Sequence, residues 1–255
     1  LVYYVFKYRS KVVWTNLHHA FPDKSKAALE KLRQSFYQYL CDLLLEHIKS
    51  LTISPQQALH RCSLKNPELL QKLYEQGRHI ILVTGHYGNW EWAGNAVALQ
   101  TSYHLYALYK PLSHPYFDSL VRRIRTRFGR KLIGQRQALR IMLQYGTSPK
   151  ATAILADQAP PPEHAYVTTF LNQPTYVFSG VEKLAKKLNH AVVYMSTHRI
   201  KRGYYMVQAK LLFEQPTGVP AHAITIAHTH QLEAAIRNQP ATWLWSHERW
   251  QHTVA

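Results

Sequence analysis

The chain reads IILVTGHYGNWEW over Ile80–Trp92, and this stretch decides the fold class. Its first part, Ile80–Val83, is a short apolar run of the kind that forms a strand buried in a parallel sheet. Gly85 and Gly88 permit a tight turn and a close approach of a ligand to the backbone. The residues from Trp90 onward have helical character. The stretch therefore predicts a strand that turns directly into a helix, the repeating unit of α/β proteins.

The turn of this unit carries His86, and Glu91 follows five positions later. A side chain at the carboxyl end of a strand lies where open α/β sheets bind ligands. An imidazole there can take a proton from a hydroxyl group, while a carboxylate on its other ring nitrogen stabilises the imidazolium. We therefore interpret His86 and Glu91 as a general-base pair. A chance pairing without function is the alternative, because the chain contains 16 histidines.

Patterns along the rest of the chain predict a further alternation of helices and strands. The predicted helices are 24–50, 67–76, 117–128, 179–189 and 221–237, and the predicted strands are 79–83, 104–109, 152–156, 191–199 and 204–211. The last two strands are joined through Arg202-Gly203 and are expected to be antiparallel neighbours. With 255 residues and 46% hydrophobic content, residues 1–255 can bury the core of one domain. We predict a single-domain α/β sandwich, a mixed sheet flanked by helices.

The charge is strongly positive, since 31 Lys and Arg residues against 14 Asp and Glu give a net charge of +17. This balance favours an anionic partner: nucleic acid, an anionic membrane surface or an acidic protein. The segment from Arg122 to Arg140 concentrates the charge on a predicted helix and beyond it. Such a face repels itself unless an anion offsets it, although a solvated helix face is the alternative. Arg130 and Arg140 are our candidates for phosphate contacts.

Polar residues also follow the second and third predicted strands. Tyr109-Lys110 and Asp157-Gln158 occupy these exits and are candidates for positioning a substrate. No metal site is predicted, because His222, His228 and His230 have no nearby carboxylate or cysteine at metal-ligand spacing.

The beginning of the chain combines apolar, aromatic and basic residues. Leu1–Phe6 is apolar and aromatic, and three basic residues follow within the next five positions. This pattern is typical of the interfacial end of a membrane segment. We interpret residues 1–22 as the remnant of an N-terminal membrane anchor and its edge. An ordinary amphipathic first helix is the alternative, since no run of about 18 apolar residues is present.

The motif Gly85-His86-Tyr87-Gly88-Asn89-Trp90-Glu91 resembles the H-x4-D/E motif of the lysophospholipid acyltransferase superfamily. The chain is most similar to the branch of lipid A late acyltransferases, the lauroyl and myristoyl transferases of Gram-negative bacteria. Further segments resemble that branch in the same order along the chain: NLHHAFP at 16–22, YKP at 109–111, the arginine-rich 122–140, ADQ at 156–158 and PATWLWSHERW at 240–250. One position departs, because Glu248 stands where many relatives carry a second basic residue.

The resemblance covers nearly the whole chain and implies a fold of the glycerol-phosphate acyltransferase type. It implies an O-acyltransferase at the cytoplasmic face of the inner membrane. This enzyme would move a fatty acyl chain from an acyl carrier protein thioester, or from acyl-coenzyme A, to a hydroxyl group of a Kdo-lipid A type precursor. The implied partners are an acidic acyl carrier protein, an anionic glycolipid and the membrane surface, without nucleic acid, and no cofactor or metal is needed.

Under this interpretation His86 deprotonates the acceptor hydroxyl group and Glu91 orients His86. Backbone N–H groups around Gly88 and Asn89 are candidates for stabilising the oxyanion. The acceptor attacks directly, since no Ser or Cys beside His86 suggests an acyl-enzyme. Two alternatives stay open: a lysophospholipid or glycerol-phosphate acyltransferase with the same pair, and a basic nucleic-acid-binding module. A hydrolase of the G-x-S-x-G type is disfavoured because that motif does not occur in the chain.

Overall fold

The computed structural model describes residues 8–252, in which helices and strands alternate along the chain. The helices of this part are α1 (Ser10–Ala20), α2 (Lys26–Lys49), α3 (Pro55–Arg61), α4 (Pro67–Glu75), α5 (Trp90–Gln100), α6 (Pro115–Thr126), α7 (Ala138–Leu143), α8 (Gly180–Leu188) and α9 (Ala223–Asn238). The strands are β1 (Cys62–Leu64), β2 (Ile80–Thr84), β3 (His104–Tyr109), β4 (Lys131–Gly134), β5 (Lys150–Leu155), β6 (Ala165–Phe170), β7 (Gln173–Phe178), β8 (Ala191–Lys201) and β9 (Tyr204–Phe213).

Seven strands form one mixed sheet in the order β1-β9-β8-β2-β5-β3-β4. Neighbouring strands are parallel except for β8 and β9, which are antiparallel as predicted. The prediction of a single-domain α/β sandwich with a mixed sheet is therefore confirmed. The separate hairpin of β6 and β7, and the short elements β1, β4, α3 and α7, were not predicted. Most of these elements are too short to show a hydrophobic period.

Strand β2 lies in the middle of the sheet and is buried on both faces. Ile81 and Val83 pack into one apolar cluster, with residues of α2, α9 and the chain beyond α9. Ile80 and Leu82 pack into a second cluster, on the side of α4 and α5. Because successive side chains of a strand point to opposite faces, a centrally placed strand needs apolar residues at every position. This requirement explains the continuous apolar run that opens the deciding stretch.

The chain beyond α9 forms a short 3-10 helix, Pro240–Thr242, and then a series of turns that pack beside the turn following β2. The amide of Leu244 donates to the carbonyl of His86 (3.1 Å), and Tyr87 forms an isolated antiparallel bridge with Trp243. Trp243 and Trp245 are buried in the core. The C-terminal residues are thereby brought next to the turn that carries His86.

The first described helix, α1, packs on this core through Val13 and Leu17. No helix among residues 8–252 is both long enough and apolar enough to cross a membrane. The interpretation of residues 1–22 as the remnant of an anchor depends largely on Leu1–Phe6, which lie outside the described residues.

Candidate active site

The parallel pairing of β2 with β5 brings His86 and Asp157 together. Thr84 at the end of β2 is the register partner of Leu155 at the end of β5. His86 and Asp157 each lie two residues beyond these strand ends. The Nδ1 atom of His86 lies 2.7 Å from Oδ1 of Asp157, and the amide of His86 donates to Oδ2 at 2.8 Å. A carboxylate only accepts, so Nδ1 carries the ring proton and Nε2 is left with a lone pair. Nε2 is thus the atom of His86 that can accept a proton.

Asp157 is buried and held on its other side by the C-terminal tail. The indole Nε1 of Trp243 donates to Oδ2 of Asp157 at 2.9 Å. Burial raises the pKa of Asp157, but the charge of His86 and the hydrogen bonds from His86 and Trp243 outweigh it and hold the pKa below its usual range. The carboxylate is therefore ionised at neutral pH. The sequence marked Asp157 as a candidate for orienting a substrate or an arginine, and the structure pairs it with His86 instead.

Two glycines make this arrangement sterically possible. A Cβ atom on Gly85 would lie 2.9 Å from Oδ2 of Asp157, so the close approach of the two strand ends requires glycine. Gly88 has φ +56°, and a Cβ there would lie 2.3 Å from the carbonyl oxygen of Thr197. The left-handed conformation and the missing space both exclude a larger residue.

Glu91 does not contact His86 through a hydrogen bond, which corrects the expectation that it orients this residue. One oxygen of Glu91 accepts from Arg125, and the other accepts from Arg130 at 3.3 Å. Since α5 begins at Trp90, Glu91 already belongs to the helix and faces the segment of α6 and β4. Burial raises the pKa of Glu91, but Arg125 and Arg130 outweigh it and lower the pKa to about 2.

The same ion pairs change the expected role of Arg130. Its side chain is only 6% exposed, and its Nε atom donates to the carbonyl of Arg125 at 2.8 Å. An arginine in this position neutralises Glu91 inside the protein, so its geometry does not fit the expected contact with a substrate phosphate. Arg140 is exposed on α7 and remains free to contact an anion from outside.

The backbone amide of Gly88 is not available to an oxyanion, which corrects a second expectation. It donates to the carbonyl of Thr242 at 2.9 Å. The side chain of Asn89 caps α5 by accepting from the amide of Trp92 (2.9 Å), and its Nδ2 donates to Glu46 (2.7 Å). Both residues therefore shape the turn and the start of the helix.

The remaining candidates lie at the strand exits named from the sequence. The hydroxyl group of Tyr109 donates to Asp118, and the guanidinium of Arg122 lies 5.0 Å from the centroid of the Tyr109 ring. Lys110 and Gln158 are exposed. Tyr109 is therefore engaged in structure, whereas the other two side chains can reach a substrate.

An apolar pocket lies between the sheet and α5, beside Glu91 and the His86 turn. Its apolar lining consists of Leu82, Trp90, Ala93, Val97, Leu105, Ala107, Leu108, Ala153, Leu155 and Met195. The ring of Trp90 also stands against His86, with 4.9 Å between the ring centroids. One side chain thus borders both the pocket and the proton-accepting histidine.

Sequence reasoning missed the roles of Trp243 and His247. The Nε2 atom of His247 accepts from the amide of Ala159 at 3.2 Å, and burial lowers the pKa of His247. The only signal in the sequence is the concentration of tryptophan, histidine and arginine in the tail, and it does not indicate a position next to His86. Proximity to His86 depends on the path of the tail, which no local pattern predicts.

A buried aspartate that fixes the tautomer of a histidine, at the ligand-binding edge of an α/β sheet and beside an apolar pocket, suits an enzyme that activates a hydroxyl group near a hydrocarbon chain. The sequence model of the family described as bacterial lipid A biosynthesis acyltransferase matches residues 1–252. The chain belongs to this family, and it is therefore an acyltransferase of lipid A biosynthesis. Comparison with curated proteins gave no match.

Proposed function

We propose that this acyltransferase moves a fatty acyl chain from an acyl carrier protein thioester to a hydroxyl group of a phosphorylated lipid A precursor, with His86 as the general base. The observation that carries the proposal is the hydrogen bond between His86 and the ionised Asp157 at the carboxyl edge of the sheet. Asp157 takes the orienting role that the sequence suggested for Glu91. It presents the lone pair of Nε2 to a hydroxyl group and stabilises the imidazolium that forms.

The reaction then needs no covalent enzyme intermediate. Nε2 of His86 accepts the hydroxyl proton while the acceptor oxygen attacks the thioester carbonyl carbon. The tetrahedral oxyanion collapses, the carbon–sulfur bond breaks, and the leaving thiolate takes the proton from the imidazolium. The amide of Trp92 is bonded by Asn89, so the amides of Trp90 and Glu91 at the positive end of α5 are our candidates for stabilising the oxyanion.

The apolar pocket beside His86 supports an acyl chain as the group transferred. Its volume is about 50 Å³, whereas ligand pockets are usually about 300 Å³ or larger, so its walls must move apart to bind a whole chain. Its walls come from both the sheet and α5, and Trp90 connects it to His86. A hydrocarbon chain gains about 0.8 kcal/mol for each CH₂ that it buries. The pocket would therefore align the thioester carbonyl with the acceptor hydroxyl by holding the chain behind it.

The surface charge supports anionic partners for both substrates. Exposed basic side chains near the exits of the strands and beyond α6 include Lys110, Arg123, Lys131, Arg136 and Arg140. Phosphate groups of a glycolipid and the acidic surface of an acyl carrier protein both complement such a surface.

An apolar rim beside the site supports a membrane surface as the place of reaction. The rim has two parts, made of exposed side chains near the end of α2 and at or just before the start of α6: Leu44, Leu45 and Ile48, and Leu112, Tyr116, Phe117 and Leu120. The ring of His47, which lies among the α2 residues of the rim, is tilted against that of Trp90 with 6.0 Å between the centroids, so this part of the rim adjoins the site. Exposed aromatic and aliphatic side chains are suited to a lipid headgroup layer.

The activity is tested by acyl transfer from radiolabelled acyl carrier protein thioester to a Kdo-lipid A type precursor. His86→Ala is expected to lower kcat/KM by about 10²–10⁴-fold. His60→Ala, which removes an exposed histidine on α3, is the matched control and should match the wild type. Equal activity of His86→Ala and the wild type would exclude the mechanism. Transfer to lysophospholipid or glycerol phosphate, but not to the glycolipid, would support the alternative acceptor class.

Membrane binding is tested by flotation with phosphatidylglycerol vesicles. The double variant Leu45→Ser/Ile48→Ser should float less than the wild type, because it removes apolar area from the rim. Leu143→Ser is the matched control, since Leu143 and Ile48 are each 62% exposed. Leu143 lies near the opposite edge of the sheet, where the ring of Tyr145 packs against His79 just before β2. Equal flotation of all three proteins would contradict the proposed membrane face.

A further inference from the structure

A small cavity lies beside Asp157, and the proposed reaction does not use it. Its volume is about 10 Å³, and His86 is not among the residues that line it. The lining comes from the ends of β2 and β5, from β8, the β6–β7 hairpin, α9 and the C-terminal tail. Parts of the chain that are distant in sequence therefore converge on the carboxylate of Asp157.

Four buried polar atoms on three of these lining residues have no hydrogen-bond partner within the described part of the protein. They are Nε and Nη1 of Arg249, the hydroxyl oxygen of Tyr194 and Nε2 of His228. Arg249 is 3% exposed, Tyr194 3% and His228 4%, so bulk water does not reach them. Buried polar atoms are nearly always satisfied by protein or by an ordered water, because leaving them unpaired is costly.

One water molecule could satisfy the hydrogen-bonding capacity of these four atoms. A cavity of about 10–15 Å³ holds a single water, which needs two to four polar partners. The water oxygen can accept from Nε and Nη1 of Arg249. Its two hydrogens can be donated to Tyr194 and to Nε2 of His228, since burial lowers the pKa of His228 to about 4 and leaves it neutral at pH 7.

Arg249 also brings a positive charge to Asp157. Burial lowers the pKa of Arg249 to about 10, against the opposing attraction of Asp157, so the guanidinium is charged at pH 7. The other ionisable groups around the carboxylate are His86 beside it, Tyr194 on β8, His228 on α9 and His247 on the tail. Among these groups, only Arg249 carries a charge that persists across the neutral pH range.

We propose that the cavity binds one internal water molecule and that Arg249, which anchors the water, is a positioning residue whose positive charge opposes protonation of the His86–Asp157 pair. This part of the inference rests on the function proposed above. Removing the charge of Arg249 makes the His86–Asp157 pair hold its proton more tightly, because a neighbouring cation no longer opposes protonation. His86 must be unprotonated to act as a base, so the acid limb of the pH–rate profile should move to higher pH.

The first measurement compares pH profiles of acyl-transfer kcat/KM for the wild type, Arg249→Lys and Arg249→Met. Arg249→Met should move the acid limb to higher pH. At an effective dielectric constant of about 20, the loss of a unit charge roughly 12 Å away accounts for about one pH unit. Arg249→Lys keeps the charge and should leave the limb in place. Arg237→Met, which removes an exposed charge from α9, is the control for net charge. An unmoved limb in Arg249→Met, with only a lower Tm, would show a purely structural role.

The second measurement is a high-resolution crystal structure of the wild type, which does not depend on activity or on a stable variant. The expected result is one water within hydrogen-bond distance of Arg249, Tyr194 and His228. A dry cavity, or an anion in it, would overturn the water site. Tyr194→Phe should weaken the water density and leave the acid limb unmoved, whereas Tyr145→Phe, whose hydroxyl group bonds Thr152 (2.9 Å), should change neither. Full activity of His86→Ala would refute the proposed function while leaving the crystallographic result to decide on the water.

Discussion

Asp157→Asn separates the geometry of the site from its charge. Asp157 accepts from the amide of His86 (2.8 Å), from Nδ1 of His86 (2.7 Å) and from the indole of Trp243 (2.9 Å). Oδ2 receives two of these bonds from donors that cannot become acceptors, so the amide oxygen of asparagine must take its place. The NH₂ group then faces Nδ1 and forces the ring proton onto Nε2, where His86 cannot accept a proton. The same change of tautomer in a serine-protease triad lowers kcat about 10⁴-fold, and we expect a loss of about 10³–10⁴-fold here.

The assay is steady-state acyl transfer at neutral pH, with Tm measured on the same samples. Asp157→Asn should keep a folded protein while kcat falls. Glu91→Gln is the comparison, because it removes the shared counter-charge of Arg125 and Arg130 and should lower the free energy of unfolding by about 3–5 kcal/mol. Asp157→Asn activity within tenfold of the wild type would refute the reasoning. So would a folded Glu91→Gln protein that loses transfer while Asp157→Asn keeps it.

Three further substitutions test the surroundings of the site. Gly88→Ala should lower the free energy of unfolding in urea by about 2–4 kcal/mol, since φ is +56° and the new Cβ meets Thr197; an unchanged midpoint would contradict this. Trp243→Phe removes the donor to Asp157 together with part of a buried ring, and it should lower kcat about tenfold as well as Tm; activity equal to the wild type would show that this bond is dispensable. His190 is buried and its pKa is lowered to about 4, so its stabilising contribution is complete above pH 6.5 and is lost as the pH falls towards 4. His190→Gln should reduce the dependence of unfolding free energy on pH in that window by up to about 1.4 kcal/mol per pH unit, whereas parallel stability curves would contradict the assignment.

Local sequence patterns predicted most of the long elements. The apolar run at β2, the helical spacing of α2 and the Arg202-Gly203 turn between β8 and β9 each contain the signal within a few neighbouring residues. Strand β3 was predicted with its observed bounds, His104–Tyr109. These elements were predictable because backbone preference and side-chain period act over short distances.

The position of His86 at a strand exit also followed from the sequence, together with the acyltransferase family that the chain matches. The residue that bonds the ring of His86 could not be predicted from the sequence. Glu91 is near in sequence but lies inside α5 and faces Arg125, whereas Asp157 is 71 residues away and adjoins His86. The pairing of β2 with β5 decides this, because strands that neighbour each other in the sheet need not neighbour each other in the chain.

The sequence by itself therefore determined the α/β class, the central strand–turn–helix unit and the histidine at its turn, because these depend on local period and turn chemistry. Only the tertiary structure decided which carboxylate bonds His86, that Arg130 forms an ion pair with Glu91, and that Trp243 and Arg249 both lie beside Asp157. Each of these contacts depends on strand order, on register and on the path of the C-terminal tail. Those features are set by packing across the whole core, where no short segment carries the information.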